Sequence, residues 1–284
     1  MDKIKDILRG VVIGVANIIP GVSGGTMMVS MGVYDTLIGC INHLFSDFKG
    51  SISKLWPYVV GMALGIVGLA KVITMMLDKI PVQTAFLFIG LILGSLPIIL
   101  NRIKGQKTGA PAMVAGLLAF LLVVGLQVFG RQGGTDVTLT LNLGQIIILF
   151  LIGIIASATM VIPGVSGSMM LMLLGYYNPI VGTVSRLIDV LIHFDLGGIL
   201  SCVGILAPFG IGVVCGIFGV AKLIEILLNR FPGVTFSAIL GLVLASPVAI
   251  LIEISFAGAT VVTFLTAACM LAAGFVCAMK LGGE

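Results

Sequence analysis

The chain has 284 residues, of which 59% are hydrophobic and 9% are charged, and its mean hydropathy is +1.27. Soluble domains carry roughly 25% charged residues, so this composition excludes a soluble globular protein. The net charge of +4 comes without any run of basic residues, and we expect no nucleic-acid partner. Five cysteines without C-x-x-C spacing indicate packing residues, and we predict neither a metal nor a cofactor.

The first membrane segment of the chain is broken. Residues 1–10 are charged and no small-residue cleavage site follows, so we expect no cleaved signal peptide. The apolar segment at residues 7–42 is interrupted by Pro20-Gly21-Val22-Ser23-Gly24-Gly25-Thr26. Proline and glycine break a helix here and leave backbone N–H groups unpaired where water cannot satisfy them. Three uninterrupted spans follow, at residues 56–77, 84–100 and 111–129.

The same order of elements returns after a linker at residues 131–142. Residues 143–192 carry the related motif Pro163-Gly164-Val165-Ser166-Gly167-Ser168, and spans follow at residues 206–228, 235–252 and 259–279. Residues 15–44 match residues 158–187 at eleven of thirty positions, and residues 57–95 match residues 208–246 at fifteen of thirty-nine. Chance similarity of apolar residues would not align glycines, prolines and a lysine together. The sequence therefore contains two repeats, which we place at residues 1–130 and 143–284.

The basic residues indicate how the repeats lie in the membrane, because lysine and arginine accumulate in cytoplasmic loops. If the broken segments turn back as re-entrant hairpins, ten of the thirteen loop lysines and arginines lie inside; if they cross, seven do. This favours hairpins, although residues 143–162 are just long enough to span at about 1.5 Å per residue. We predict an all-α polytopic membrane protein with two inverted repeats and cytoplasmic termini. Each repeat has a re-entrant helical hairpin plus three transmembrane helices.

The two hairpin tips are the predicted binding site. Inverted-repeat transporters bring broken helices together near the bilayer midplane, with the first N–H groups of a half-helix facing the substrate. Hydroxyls at Ser23, Thr26, Ser166 and Ser168 and the unpaired N–H groups suit an anion such as phosphate, sulfate or carboxylate. Asn17 precedes the first tip where the second repeat has Met160, so the tips differ chemically. The alternative is that Pro-Gly only kinks the helix, with serine and glycine allowing close packing.

Two intramembrane lysines occupy matching positions in the first full span of each repeat. Lys71 and Lys222 are costly at this depth unless they find a partner or reach the headgroups. They are candidates for cations on either side of a central anion. Glu225 lies one turn after Lys222, where it pairs with that lysine or carries a proton. The candidate substrate-binding residues are Asn17, Pro20, Gly21, Val22, Ser23, Gly24, Gly25, Thr26, Lys71, Pro163, Gly164, Val165, Ser166, Gly167, Ser168 and Lys222.

The sequence resembles the polyprenyl-phosphate transporter family of bacteria and archaea. The resemblance rests on residues 17–26 and 32–34 of the first repeat and on residues 161–168 and 174–177 of the second, and it covers nearly the whole chain. It implies a multi-pass protein of the cytoplasmic membrane that returns undecaprenyl phosphate from the outer to the inner leaflet. It further implies that residues 20–26 and 163–168 bind the phosphate headgroup. The partners so implied are this lipid and the membrane.

Two other functions compete with lipid transport. A membrane phosphatase needs a nucleophile and an acid or base beside one phosphate, and His43 and His193 both lie outside the motifs. We therefore predict that the protein is not an enzyme. A secondary transporter or channel for a small soluble anion stays open, because such proteins also bind anions at broken helix starts.

Overall fold

The computed structural model describes residues 3–17, 23–106, 108–130 and 135–282. All regular secondary structure within these ranges is helical, as the sequence predicts. The helices are α1 (Lys3–Ala16), α2 (Gly24–Ser30), α3 (Tyr34–Asn42), α4 (Phe48–Lys79), α5 (Pro81–Ile103), α6 (Ala110–Gly130), α7 (Leu143–Val161), α8 (Gly167–Leu173), α9 (Tyr177–Ile192), α10 (Leu196–Arg230), α11 (Pro232–Glu253) and α12 (Val261–Gly282).

Seven of the described helices are long and apolar enough to cross a membrane: α4, α5, α6, α7, α10, α11 and α12. Five of the six predicted full spans fall inside one of these helices, and the sixth, at residues 259–279, starts two residues before α12. The polytopic helical membrane fold is thus confirmed. The seventh helix, α7, is the arm that we noted as just long enough to span. The re-entrant path of the hairpins and the inversion of the repeats stay predictions.

The described residues group into two compact units. The first contains residues 1–128, 162–165 and 221–284 within its bounds, and the second contains residues 129–161 and 166–220. These units follow spatial contacts, whereas the repeats at residues 1–130 and 143–284 follow sequence similarity. The division into repeats therefore stays a prediction about ancestry and topology.

Within the first unit, α1 packs on α4 through glycines. A Cβ atom at Gly61 would collide with the carbonyl oxygen of Ile7, and one at Gly65 would come within 2.5 Å of the carbonyl oxygen of Val11. Gly10 on α1 faces α4 with the same closeness. Small residues let two helix backbones approach in this way, which compensates for the weak hydrophobic driving force inside lipid.

Within the second unit, α7 packs on α10 through the equivalent residues. A Cβ at Gly212 would collide with the carbonyl oxygen of Phe150, and one at Gly216 would come within 2.7 Å of that of Ile154. These residues stand 151 and 143 positions after their counterparts in the α1–α4 pair. Glycines at equivalent positions therefore form a packing face in both helix pairs. It does not extend to Gly68 and Gly219, where no described atom lies within 4 Å of an added Cβ.

The later spans exchange partners between the repeats. In the first unit, α5 packs on α12, where a Cβ at Gly90 would collide with the carbonyl oxygen of Leu271. The equivalent glycine on α11, Gly241, faces the carbonyl oxygen of Gly116 on α6 in the same way. The last helix of each repeat thus packs on the middle span of the other, and α5 and α11 also contact each other.

Candidate functional site

The first motif ends a helix and begins a short one. Helix α1 stops at Ala16, and α2 starts at Gly24 with Ser23 at the N-cap position, in an extended conformation (φ −97°, ψ 132°). The predicted helix start is therefore confirmed. Pro20, Gly21 and Val22, which we also assign to the site, lie outside the described residues.

The hydroxyl of Ser23 is buried and does not cap the helix. Ser23 is 3% exposed, and its Oγ has no hydrogen-bond partner among the described residues. A buried polar atom without a partner costs about 1–3 kcal/mol. Serine at an N-cap usually bonds to the N–H groups of the first turn, and the Ser23 side chain makes no such bond. The hydroxyl is consequently available to a ligand.

The second motif has the same backbone and a different arrangement of hydroxyls. Ser166 occupies the N-cap of α8 with φ −93° and ψ 127°, and it too makes no cap hydrogen bond. Its Oγ lies 2.8 Å from the Oγ of Ser168, which stands where the first repeat has Gly25. Both serines are half-buried. This tip therefore presents a pair of neighbouring hydroxyls.

Residues of the two motifs meet within the first unit. The N–H of Gly164 donates to the Oγ1 of Thr26 over 2.6 Å. Thr26 Oγ1 lies 3.2 Å from the Oγ of Ser246 on α11, and Ser246 is in turn 3.2 Å from the carbonyl oxygen of Leu242. Because that carbonyl can only accept, Ser246 donates to it and Thr26 donates to Ser246.

Ser246 is a residue of this polar junction that our sequence reasoning did not include among the site residues. It is fully buried, like Thr26. The identity of Ser95 and Ser246 in the second aligned block was the available signal. Gly164 itself has φ +84°, a conformation that glycine adopts without strain, and its Cα packs against the carbonyl oxygen of Leu242.

One side chain before each helix break packs over the first glycine of the helix that follows the break. The carboxamide of Asn17 lies over Gly24 and also donates to the carbonyl oxygen of Ile13 over 3.0 Å. The side chain of Met160 lies over Gly167 in the equivalent position. The predicted chemical difference between the tips is therefore visible as an amide at one and a thioether at the other.

Each motif is followed by a second break that we did not predict. Both α2 and α8 are seven residues long, and each is followed two residues later by a glycine with positive φ, Gly32 (+68°) or Gly175 (+75°). New helices then begin at Tyr34 and Tyr177. The aligned Gly and Tyr pairs of the two repeats carried this signal, because a glycine repeated between apolar segments favours a left-handed turn.

The two lysines are exposed side chains rather than parts of the polar junction. Lys71 lies on α4. Lys222 donates from Nζ to Oε2 of Glu225 over 2.9 Å, so the alternative that Glu225 pairs with this lysine is confirmed. Glu225 Oε1 also lies 3.7 Å from Nε2 of His43, a residue to which we assigned no chemistry. The roles of both lysines in binding stay predictions.

The fold and the motifs define the chain as a polytopic helical membrane protein with paired glycine-rich helix breaks. A profile described as VCA0040-like, undecaprenyl phosphate translocase-like, matches residues 13–263. A polyprenyl-phosphate transporter from Staphylococcus aureus is 32% identical over 282 residues, 98% of this chain and 95% of the relative. Another from Vibrio cholerae serotype O1 is 31% identical over 265 residues, 87% of this chain and 77% of the relative. No solved structure matches the chain significantly.

The chain therefore belongs to the undecaprenyl phosphate translocase-like family. The resemblance inferred from the motifs is confirmed by these matches.

Proposed function

We propose that this protein moves polyprenyl phosphate from the outer to the inner leaflet of the cytoplasmic membrane. The family and the names of both relatives support this substrate. A bare phosphate cannot cross hydrocarbon, since transferring an ion out of water costs far more than binding can restore without polar partners. The protein has to supply a polar path for the headgroup while the prenyl chain stays in lipid.

The observation that carries this proposal is the unpartnered Ser23 hydroxyl at the start of α2. It lies in a motif that is duplicated with the same backbone at Ser166. Each helix start has N–H groups without intrahelical acceptors, and these favour an anion. We assign the phosphate to the two tips, with Ser23, Ser166 and Ser168 as donors and the glycines as points of close backbone approach.

We interpret the contact between Thr26 and Gly164 as a closed arrangement of the tips. Thr26 accepts the Gly164 N–H, a donor that a phosphate oxygen also fits. We infer that phosphate binding and this contact alternate. Inverted repeats with re-entrant hairpins would let the same tips face one leaflet and then the other. Glu225 is retained as a candidate proton carrier, and Lys71 and Lys222 as candidate cations for the phosphate.

The proposal excludes chemistry on the lipid. Both relatives are named transporters, and a phosphatase would need an acid or base at the tips. The two histidines, His43 and His193, stand instead at the C-caps of α3 and α9.

The test is leaflet-resolved translocation by the purified full-length chain in proteoliposomes. We expect a labelled polyprenyl phosphate to move between leaflets at a protein-dependent rate, and inorganic phosphate and chloride not to move. Movement of the soluble anions without the lipid would establish the small-anion transporter instead. Release of inorganic phosphate from the lipid would establish an enzyme.

A further inference from the structure

A narrow crevice in the first unit lies at the far end of α2 from Ser23. It is formed between α2, α3, α5 and α11. Its walls are mainly apolar, and two charged side chains lie among its lining residues. The crevice has a volume of about 30 Å³, and its nine lining residues include Val29, Ile98, Phe236, Ile239, Asp35 and Arg102.

The charged pair leaves the guanidinium available. Nη2 of Arg102 lies 3.9 Å from Oδ2 of Asp35, which is too long for a hydrogen bond. The Arg102 side chain is 60% exposed and that of Asp35 is 40% exposed. Asp35 therefore holds the guanidinium near the crevice without occupying its donors.

The second repeat does not reproduce this cation. Arg102 stands 21 residues after the proline that opens α5, and the residue at the same distance in α11 is Glu253. Glu253 accepts a hydrogen bond from Nε2 of Gln127 over 3.1 Å. A cation that served only to offset a helix dipole would suit both helix ends equally. Asp35 likewise has an uncharged counterpart, Asn178, as the second residue of α9.

We propose that this crevice is a second binding site for polyprenyl phosphate, in which Arg102 binds the phosphate and the apolar lining residues contact the first isoprene unit. The proposal rests on the proposed function, because it takes the same lipid as its ligand. An anionic head joined to an apolar chain matches a guanidinium beside an apolar crevice. Only the first repeat has this cation, so the site belongs to a single leaflet, the one in which the C-terminal end of α5 lies.

The first experiment measures equilibrium binding of radiolabelled farnesyl phosphate to the full chain in detergent. We expect Arg102→Gln to weaken binding about tenfold, and Arg102→Lys to keep part of the affinity because the charge remains. Asp35→Asn should strengthen binding, because it removes a carboxylate that repels the phosphate and attracts Arg102. Arg230→Gln, at the end of α10, is the matched control and should leave binding unchanged.

The second experiment locates the ligand. A farnesyl phosphate analogue with a diazirine on its chain should label peptides that contain residues 98–102 and 236–239. Excess farnesyl phosphate should block this labelling. Equal concentrations of farnesol, which lacks the phosphate, or of inorganic phosphate, which lacks the chain, should not.

Several results would overturn the crevice site. The pair would be a purely structural contact if Arg102→Gln and Asp35→Asn both left the affinity for farnesyl phosphate unchanged. The same would hold if both variants lowered the affinity and the melting temperature together. Diazirine labelling that is confined to helices other than α5 and α11 would also exclude the crevice as the binding site. If the wild-type protein translocates the lipid under either result, only the crevice assignment fails. If labelling succeeds and the wild-type protein moves no lipid, the transport function fails instead.

Discussion

Two serines at the same structural position differ in what their hydroxyls can do. Ser23 and Ser166 have nearly equal backbone angles at the starts of α2 and α8. Only Ser166 has a hydroxyl partner, Ser168, whereas Ser23 is buried without a described one. A protein that keeps an unsatisfied buried hydroxyl gives up stability, and a ligand that satisfies it would explain why it is kept.

Ser23→Ala should separate binding from folding. We expect it to lower lipid translocation about tenfold, the loss of roughly 1.4 kcal/mol of binding. It should leave the melting temperature unchanged or higher, because the unsatisfied hydroxyl is removed. Translocation and thermal unfolding of the purified variant measure the two effects. Ser201→Ala, which removes an exposed hydroxyl bonded to its own helix, is the control. Normal translocation by a Ser23→Ala, Ser166→Ala double variant would show that the tips are not the site.

Glu225 offers a test of proton coupling. Its carboxylate bonds to Lys222 and lies near His43, so removing its charge leaves the lysine without this partner. If Glu225 carries a proton, Glu225→Gln should abolish the response of translocation to an imposed pH gradient, and Glu225→Asp should retain part of it. The measurement is the initial rate with and without the gradient. An unchanged response in Glu225→Gln would reduce Glu225 to an ion-pair partner of Lys222.

At the scale of elements, glycine decides how closely helices approach. The α1–α4 and α7–α10 pairs place glycines against carbonyl oxygens at equivalent positions, Gly61 and Gly212. A backbone oxygen cannot rotate away as a side chain can. Each pair must therefore separate if these glycines acquire a side chain.

Gly61→Ala and Gly212→Ala should each destabilise the fold by about 1–3 kcal/mol. Gly68→Ala and Gly219→Ala are matched controls on the same two helices, since no described atom lies within 4 Å of the new methyl groups. These controls should be neutral or stabilising by about 0.5–1 kcal/mol, because alanine favours a helix over glycine. Thermal unfolding in detergent compares all four. Equal effects at the close and the open positions would contradict the packing described for α1–α4 and α7–α10.

The sequence predicted those elements whose cause is local. Proline and glycine at the motifs predicted the breaks, and long apolar stretches predicted the six full spans. The short length of α2 and α8 was missed because the glycines at Gly32 and Gly175 were treated only as alignment markers. The Thr26–Ser246 contact joins residues 220 positions apart. No periodicity or motif predicts a contact of that kind, because it depends on how the helices pack.

At the scale of the whole molecule, membrane topology determines what the repeats can do. If the broken segments are re-entrant, the regions at residues 43–55 and 101–109 lie on the same face of the membrane, and the linker lies on the other. If the segments cross, these three regions no longer divide between the two faces in this way, and the repeats are parallel.

Single-cysteine labelling tests this topology. In a background with all five native cysteines replaced, we expect Ser46→Cys and Gln106→Cys to react only with reagents that reach the cytoplasm. Thr138→Cys in the linker should react from outside. These three positions are exposed in the structure. Accessibility to an impermeant maleimide in intact cells, before and after permeabilisation, measures it. Labelling of Ser46→Cys and Gln106→Cys from opposite sides would exclude inverted repeats.

The exchange of last helices between α5–α12 and α6–α11 bears on how such a chain arose. Expressed alone, either half would lack the neighbour that covers Gly90 or Gly241. An ancestor with one copy would have been completed by a second subunit swapping its terminal helix. If two such copies fused into one polypeptide, each half could then carry its own charge at the end of its middle span, as Arg102 and Glu253 do.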